Sequence, residues 1–231
     1  MKSDPSNPQS FSSNARSRRV KLFASYIDEL HAKGAFSNKK IRILDIGGTV
    51  AFWEMNAAHL PVDKIELVEV VNLPPVNEEY REINGLKVQA YAGNALNAAS
   101  LRSSSYDIVH SNSVIEHVGN YSAQRVFADN VAKLARYHFI QTPCRLFPIE
   151  PHFYFPFFLI LPLSLRTFLH HNFHLGFMPR EASWVQARIN CEETRLMTRK
   201  ELQGLFEGST ILAEKFLFLK KSWMVTNMAS A

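Results

Sequence analysis

Residues 106–118 read YDIVHSNSVIEHV, an apolar strand that leads directly into a polar turn. The strand is predicted over Tyr106–Ser111, and the turn carries Asn112, Ser113 and His117. Open α/β sheets bind their ligands at the carboxyl ends of their strands. A strand that ends in hydrogen-bonding side chains and a titratable imidazole therefore predicts a site at such an edge.

The same combination occurs earlier in the chain, in ILDIGGTVAFWE (residues 43–54). There a buried strand carries Asp45 near its end, and Gly47, Gly48 and Thr49 lead into a helix. Glycines lack a Cβ atom, so a ligand can approach the backbone closely. Asp45 can accept hydrogen bonds from nearby amides or from a ligand ammonium group. The adjacent glycines differ from the GxGxxG spacing of dinucleotide sites, which counts against a pyrophosphate ligand.

Short apolar runs alternate with helical patterns from residue 41 to residue 142, which predicts a parallel sheet covered on both faces. The predicted strands are Ile41–Ile46, Lys64–Leu73, Leu86–Tyr91, Tyr106–Ser111 and Tyr137–Thr142. The predicted helices are Arg16–Lys33, Ala51–His59, Asn77–Ile83, Ala95–Arg102 and Ser122–Ala135.

Regularity is predicted to return after a proline- and aromatic-rich stretch at about residues 143–197. Thr198 followed by Glu201 is a capping-box signal for a helix over 198–206. Two last strands, Thr210–Leu219 and Trp223–Asn227, are predicted to form a hairpin at the sheet edge, linked by Lys220–Ser222. The chain is therefore expected to be one domain over 14–231, with the stretch at 143–197 inserted as a cap and a disordered lead over 1–13.

The charge distribution argues against a nucleic-acid surface. The chain has a net charge of +5, but residues 1–40 hold 8 Lys and Arg against 3 acidic residues, which leaves 18 basic and 18 acidic residues in 41–231. A nucleic-acid interface needs basic residues spread across the fold. The two cysteines are expected to be free thiols in a reducing compartment, and the polar N-terminal stretch does not read as a signal peptide. The expected location is the cytoplasm.

Polar residues also follow the second and third predicted strands. Asn72 lies at the tip of the second strand, 24 residues after Gly48, where a ribose-binding side chain is expected. Glu69 is the alternative, although it should lie inside the strand. After the third strand, Gly93, Asn94 and Ala95 could contact an adenine edge, although a plain turn is the better interpretation of this triplet taken alone.

Together these stretches resemble the class I S-adenosylmethionine (SAM)-dependent methyltransferases, and among them the small-molecule branch known as the type 11 methyltransferase domain. ILDIGGT resembles the glycine-rich first motif of that family, and VNLPP sits where its acidic ribose-binding motif lies. AGNAL resembles the adenine-contacting motif, and SYDIVHSNSVIEHV resembles the fourth-strand motif. The resemblance covers residues 40–142 closely and 198–227 by element order. Adjacent glycines and Asn72 in place of an acid are its two departures.

The resemblance implies a Rossmann-like, doubly wound α/β sheet of strand order 3-2-1-4-5-7-6, mostly parallel with an antiparallel strand in the C-terminal hairpin. It also implies SAM as the cofactor and methyl transfer to a small-molecule, glycan or lipid-type acceptor, most simply at a hydroxyl. The residues expected to bind the cofactor are Asp45, Gly47, Gly48, Thr49, Asn72, Asn94, Ala95, Asn112 and Ser113. A nicotinamide-dependent oxidoreductase and a nucleoside-binding module without catalysis are the alternatives.

Three residues are candidates for catalysis. Deprotonating an acceptor hydroxyl requires a base. His117 is one candidate, with packing in the cofactor wall as the alternative role. The other is His152, which Glu150 could orient across Pro151, since proline restricts the directions of its neighbours. A surface loop with a chance Glu–His pair is the alternative interpretation of that stretch.

The aromatic stretch 153–169 is interrupted by Pro156 and Pro162 and ended by Arg166, so it is too short to span a membrane. It predicts either a lid over the acceptor site or a peripheral contact with the inner face of a membrane. The histidines of HHNFH (170–174) lack a cysteine or carboxylate partner at metal-ligand spacing, so no metal is expected. The sequence carries no signal for an oligomeric state.

Overall fold

A computed structural model describes residues 11–37, 39–102, 105–147, 158, 161–176 and 178–230. In these ranges the helices are α1 (Phe11–Ala32), α2 (Val50–Asn56), α3 (Tyr121–Leu134), α4 (Leu163–Asn172), α5 (Trp184–Glu192) and α6 (Arg199–Leu205). The strands are β1 (Ile41–Ile46), β2 (Ile65–Asn72), β3 (Glu79–Ile83), β4 (Leu86–Ala92), β5 (Tyr106–Asn112), β6 (Ala135–Pro143), β7 (Thr210–Phe216) and β8 (Leu219–Thr226).

The strands form one mixed sheet in the order β3-β4-β2-β1-β5-β6-β8-β7. β1 pairs in parallel with β2 and β5, and β2 pairs in parallel with β4. β7 and β8 are neighbours joined by two residues, which requires them to run antiparallel. The predicted strand order 3-2-1-4-5-7-6 is confirmed, because β3 is the single strand that it lacks.

The predicted helix Asn77–Ile83 is wrong. The chain forms β3 there, which pairs antiparallel with β4 at the sheet edge. The two residues between these strands, Asn84 and Gly85, have φ angles of 51° and 86°. Positive φ at both positions is the geometry of a tight hairpin turn, which Asn-Gly adopts more readily than other pairs. The turn therefore pairs residues 79–83 with β4, in place of the predicted helix.

The predicted helix Ala95–Arg102 is also wrong, since the segment contains a single 3₁₀ turn, Ala98–Ser100. Asn97 Oδ1 accepts a hydrogen bond from the Ala99 amide at 3.2 Å. Ser100 Oγ donates to the Asn97 carbonyl oxygen at 2.7 Å. Such side-chain bonds give the backbone local partners outside a helix, which favours turns.

The C-terminal hairpin forms as predicted, but its turn was misplaced. The turn residues are Leu217, with a φ of 53°, and Phe218, rather than Lys220–Ser222. Ser222 is buried in β8, where its hydroxyl donates to Glu214 Oε2 in β7 at 2.7 Å. This cross-strand bond explains why a residue typical of turns lies inside a strand.

The chain divides into two compact units, each of which is described separately. The first comprises residues 1–112, 130–140 and 226–231. It contains α1, whose apolar stripe is buried as its sequence pattern predicts: Val20, Phe23, Ala24, Ile27 and Leu30. α1 begins at Phe11, five residues before the predicted start, so it includes part of the segment expected to be disordered. The rest of that segment, 1–10, lies outside the described residues.

The second unit comprises residues 113–129 and 141–225, which include most of the predicted cap. In the cap, Phe158, Leu175 and Cys191 form a small buried cluster, so this region has an apolar core of its own. α6 follows with the predicted capping box, which is confirmed: the Glu201 amide donates to Thr198 Oγ1 and the Thr198 amide donates to Glu201 Oε2.

Both cysteines are buried and free, as expected from the sequence. Burial raises the pKa of the Cys191 thiol to about 11, so the thiol stays protonated at neutral pH. In the ranges that the structure describes, no helix has both the length and the apolar character needed to cross a membrane.

Candidate functional site

The carboxyl ends of β1, β2 and β5 lie side by side in the first unit. From β1 the chain proceeds to β2 and β4 on one side, and then crosses to β5 on the other. The sheet therefore reverses its winding direction between β1 and β5, which is where open α/β sheets form a ligand crevice. Gly47 and Gly48 follow β1, while Asn72 and Asn112 end β2 and β5.

Asp45 is fully buried beneath this edge, and both of its carboxylate oxygens are hydrogen-bonded to side chains. Trp53 Nε1 donates to Oδ2 at 2.7 Å, and His110 Nδ1 lies 2.7 Å from Oδ1. The His110 imidazole is itself buried and stacks on Phe139 at an interplanar angle of 3°. Asp45 is therefore the centre of a satisfied polar network, and its direct contact with a ligand stays a prediction.

The two glycines are required by the geometry of the loop. A Cβ atom on Gly48 would lie 1.7 Å from Asp45 Oδ2, where two atoms cannot coexist. Gly47 has a φ of 75°, a left-handed conformation that residues with a side chain rarely adopt. The loop thus presents bare backbone at the strand edge, which is what close approach of a ligand requires.

Asn72 is bound to this loop. Its Nδ2 donates to the Gly48 carbonyl oxygen at 2.7 Å, so the tip of β2 and the glycine loop are directly connected. The alternative residue, Glu69, is buried and paired with Arg42 through a 2.6 Å contact. Glu69 is therefore engaged inside the sheet, while Asn72 stays partly exposed at the strand tip.

The remaining candidates of the first unit take part in turns. Thr49 caps α2, since its hydroxyl accepts from the Phe52 amide at 3.2 Å. Asn94 Oδ1 accepts from the Leu96 amide at 2.9 Å, and the Ala95 carbonyl oxygen accepts from Asn130 Nδ2 at 2.8 Å. Local bonds of this kind fix the loop after β4. They leave the predicted adenine contacts of Asn94 and Ala95 untested.

Ser113 and His117 belong to the second unit. Ser113 adopts a φ of 58°, and it is held there by Gln141, whose carbonyl and side-chain oxygens accept from the Ser113 amide and hydroxyl, each at 2.9 Å. A left-handed residue other than glycine is uncommon outside turns and functional sites. His117 is exposed on a 3₁₀ turn, with Nδ1 3.5 Å from Thr194 Oγ1.

Glu116, next to His117, is buried and structural. Its Oε2 accepts from Thr142 Oγ1 at 3.0 Å, and its carbonyl oxygen accepts from the Arg195 amide at 2.8 Å. Gln124 adds two donations from Nε2, to the carbonyl oxygens of Ile115 and Arg195, at 3.0 and 2.8 Å. These bonds fix the turn that carries His117.

Glu150 and His152, the other predicted catalytic residues, lie outside the described residues. The histidines of HHNFH make local contacts: His170 with Asn190, His171 with the Glu181 carbonyl oxygen and His174 with the Gly176 carbonyl oxygen. Within the part of the chain that the structure describes, no group of three or more His, Cys, Asp or Glu residues is arranged to hold a metal ion.

A cavity of about 460 Å³ lies at the opposite edge of the first unit, near the amino ends of β1, β5 and β6. Lys39, Asp107 and Arg136 are among the residues that line it. Ligands of open α/β sheets bind at the carboxyl edge, so this cavity does not belong to the predicted site.

Sequence reasoning missed the partners of Asp45. His110 was read as part of an apolar strand, although a histidine between Val109 and Ser111 in a buried strand is a signal for a polar partner. Trp53 carries no signal at the sequence level, because its hydrogen bond depends on where α2 begins. Three arginines of the second unit, Arg145, Arg166 and Arg195, were also missed, since they are widely separated in the chain.

No protein-family profile and no curated protein sequence matches the chain. It is similar to the structure of a protein assigned as an O-methyltransferase from Nostoc punctiforme PCC 73102, with a TM-score of 0.51 and 14% identity over 93% of this chain and 57% of that one. It is also similar to the magnesium protoporphyrin IX methyltransferase of Synechocystis PCC 6803 with bound SAM, with a TM-score of 0.50 and 11% identity over 93% of this chain and 80% of that one.

A third similar structure is LepI in complex with SAM, with a TM-score of 0.50 and 10% identity over 87% of this chain and 46% of that one. The chain spans between 57% and 63% of the length of the first structures that it matches. At such low identity the similarity is one of architecture. The chain therefore has the Rossmann-like fold found in SAM-dependent methyltransferases.

Proposed function

We propose that this protein is a SAM-dependent methyltransferase. The observation that carries the proposal is the glycine loop at the reversal point of the sheet, where Asp45 leaves no room for a side chain on Gly48. Backbone that a ligand can approach closely, beside a polar strand tip at Asn72, suits a nucleoside cofactor. The shared fold supports the proposal independently of the loop.

The residues that would hold SAM fit this role in different ways. Gly47, Gly48 and Thr49 would present backbone to the cofactor, and Asn72 would hydrogen-bond the ribose hydroxyls. Asp45 would act from below by fixing the loop, since its oxygens are bound to Trp53 and His110. The further proposed contacts are with Asn94, Ala95, Asn112 and Ser113.

SAM supplies a methyl group on a positively charged sulfur, which is already a good leaving group. The protein then needs to align the acceptor, exclude water and remove the acceptor proton. His117 is proposed as a base or as part of the cofactor wall, and His152 with Glu150 is the second proposed base. The turn that carries His117 is held by the hydrogen bond between buried Glu116 and Thr142.

The finer assignments are also proposals. We place the chain in the small-molecule type 11 branch on the basis of its sequence motifs, with a small-molecule, glycan or lipid-type hydroxyl as the acceptor. A nicotinamide-dependent oxidoreductase is disfavoured by the adjacent glycines. A binding module without catalysis would keep the loop and Asn72 but lack a working base.

Isothermal titration tests the cofactor. We expect SAM and S-adenosylhomocysteine to bind and nicotinamide dinucleotide not to bind. Binding of the dinucleotide alone would overturn the proposal. Methyl transfer is then screened over sugars, lipids and phenols, and cofactor binding without transfer to any of them would favour the binding module.

The role of His152 is tested with His152→Ala and with His174→Ala as the matched control. His174 is exposed and contacts the Gly176 carbonyl oxygen. We expect His152→Ala to lower turnover about 100-fold while SAM affinity is unchanged, which is the size of a typical general-base contribution. Unchanged turnover in this variant would remove the assignment.

A cytoplasmic location with peripheral contact to the inner face of a membrane, through residues 153–169, remains part of the proposal. Most of this segment before residue 161 lies outside the described residues. Leu165 and Phe168, on the described part, are exposed on α4. Flotation with liposomes that contain or lack anionic lipid tests the contact.

A further inference from the structure

A small basic pocket lies in the second unit, next to the turn that carries His117. It has a volume of about 170 Å³ and is lined by Arg145, Arg166, Thr194, Arg195 and Leu196. Small-molecule sites usually enclose roughly 300–1,000 Å³, so this pocket is too small for a whole cofactor. At about 30 Å³ for each water molecule, it has room for one charged group.

One of the three arginines is already neutralised. Arg195 forms an ion pair with Glu201, donates to Gln124 Oε1 at 2.6 Å and lies over the ring of Tyr121. These contacts hold Arg195 in place as part of the wall of the pocket. They also account for its charge.

The other two arginines have no carboxylate partner among the described residues. Arg166 donates from Nη1 to the Cys191 carbonyl oxygen at 2.8 Å, while its Nε is buried without a hydrogen-bond partner among those residues. Glu192, an acid whose charge acts on Arg166, is paired with Arg188 at 3.0 Å. Arg145 is exposed at the pocket. The pocket therefore carries positive charge that the described residues do not balance.

We propose that this pocket binds an oxyanion, a carboxylate or phosphate group, of the methyl acceptor. The planar guanidinium fork matches both groups in geometry and forms strong charge-assisted hydrogen bonds with them. Arg145 and Arg166 both line the pocket, so their charge is available to an anion that enters it. That the anion belongs to an acceptor rests on the proposed function, whereas binding of the anion does not.

Thr194 connects this pocket to the proposed chemistry. It lines the pocket, and its hydroxyl lies 3.5 Å from His117 Nδ1. An acceptor anchored by its charged group in the pocket would therefore lie beside His117. An acidic acceptor with a hydroxyl at a distance from its charge is the substrate class that this arrangement selects.

Titration of the whole chain with inorganic phosphate and with acetate, in the absence of SAM, tests the pocket. We expect Arg166→Met to weaken binding at least about tenfold. Arg145→Met should have a similar effect, and it serves as the second variant because its side chain is exposed and makes no structural bond in the described residues. Arg199→Met is the matched control, since Arg199 is exposed on α6 and does not line the pocket.

A second arm of the experiment uses phosphatidylcholine vesicles that contain or lack phosphatidic acid. It distinguishes an anion on a soluble acceptor from one on a lipid headgroup. Arginine-dependent binding of free anions supports a soluble acceptor, and such binding to phosphatidic acid alone supports a lipid headgroup. Equal binding by the wild type and both pocket variants in both arms would overturn the proposal. SAM affinity is measured on the same samples: anion binding without SAM binding would refute the proposed function and leave the pocket standing.

A different observation concerns the turn between β7 and β8. Four consecutive apolar residues, Phe216, Leu217, Phe218 and Leu219, are 36%, 76%, 96% and 48% exposed. A run of exposed apolar residues is unfavourable in water, so its presence on a protein surface indicates a function. Lys215 precedes the run and Lys220 follows it, so positive charge lies on both sides of the apolar tip.

We infer that this hairpin tip inserts into the surface of an anionic membrane. Apolar side chains would enter the boundary of the acyl chains, while the lysines would contact anionic headgroups. The charge on both strands favours a lipid surface over a second copy of the chain, because two such tips would repel each other.

Vesicle flotation with the double variant Leu217→Ser/Phe218→Ser tests this inference. We expect binding to vesicles that contain phosphatidylglycerol to fall about tenfold, and to fall with added salt in the wild type. Leu73→Ser, at a residue that is 63% exposed in the first unit, is the matched control. Equal flotation of the double variant and the wild type would overturn the inference. It would also be overturned if the double variant dissociated a dimer and changed nothing else.

Discussion

The glycine loop of the first unit and the basic pocket of the second unit each contain a charged side chain with buried polar atoms. They differ in whether those atoms have hydrogen-bond partners. Around Asp45, every carboxylate oxygen has a partner from the protein, in Trp53 and His110. Around Arg166, one donor is buried without a partner in the described residues. A satisfied charge holds structure together, whereas an unsatisfied charge is suited to a ligand.

The largest effect is expected from Gly48→Ala. The new methyl group would lie 1.7 Å from Asp45 Oδ2, so the loop must move or the Asp45 network must break. We expect SAM binding to fall by at least about 100-fold in isothermal titration, because the backbone that faces the ligand is displaced.

Gly204→Ala provides the control for that substitution. A Cβ atom there would lie 4.0 Å from the Tyr121 hydroxyl, an ordinary contact, and the residue is within α6. Alanine should stabilise the helix by about 0.5–1 kcal/mol and leave SAM affinity unchanged. If Gly48→Ala behaved in the same way, the space between Asp45 and the loop would not be filled as described.

The second effect is expected from Asp45→Asn. An asparagine can accept from Trp53 through its carbonyl oxygen, but it lacks the negative charge, and its amide can donate to His110 only if Nδ1 gives up its proton. We expect the free energy of unfolding to fall by about 2–4 kcal/mol, measured by urea denaturation. A loss of SAM affinity with unchanged stability would show instead that Asp45 contacts the ligand, and the contrast between the two charged regions would disappear.

A comparable effect, confined to acid pH, concerns His138, which is buried in β6 of the first unit. Burial lowers the pKa of His138 to about 4 from its ordinary value of 6.5. The unfolded chain therefore binds a proton between pH 6.5 and pH 4 that the folded chain does not. The stability associated with His138 is fully present above pH 6.5 and is lost as the pH falls towards 4, by about 3 kcal/mol in total.

The His138→Gln variant should lose less stability than the wild type over that range when both are unfolded in urea at a series of pH values. Carboxylates affect both proteins alike, so the difference between their curves isolates the imidazole. Parallel curves would mean that His138 takes up its proton in the folded state as readily as in the unfolded chain. Burial in the first unit would then not keep the imidazole neutral.

The sequence predicted the sheet because its central strands are buried on both faces. The apolar runs of β1 and β5 leave few other placements. The strand order, in contrast, was implied by the resemblance to the class I methyltransferases. β3 was missed because its residues, EYREI, lie exposed at the edge and show no apolar periodicity. The Asn84–Gly85 pair is the signal that would have identified it, and it is a stronger signal than the helical propensity of the glutamates.

The candidate site was predicted less completely, for a physical reason. Gly47, Gly48 and Asn72 adjoin strand ends, so their positions follow from the fold. The partner of Asp45, His110, is 65 residues away in the chain, and a side-chain contact at that separation depends on packing that no local pattern encodes. The arginines of the pocket are separated by up to 50 residues, from Arg145 to Arg195, for the same reason.

The fit of Asp45 under Gly48 also constrains how this protein can diverge. Any side chain gained at position 48 must be matched by a smaller residue at position 45. That change would leave the donors of Trp53 and His110 without their acceptor. The four positions should therefore change together or not at all. Proteins that share this loop geometry should therefore carry the aspartate, the glycine three residues later and the histidine of the neighbouring strand together.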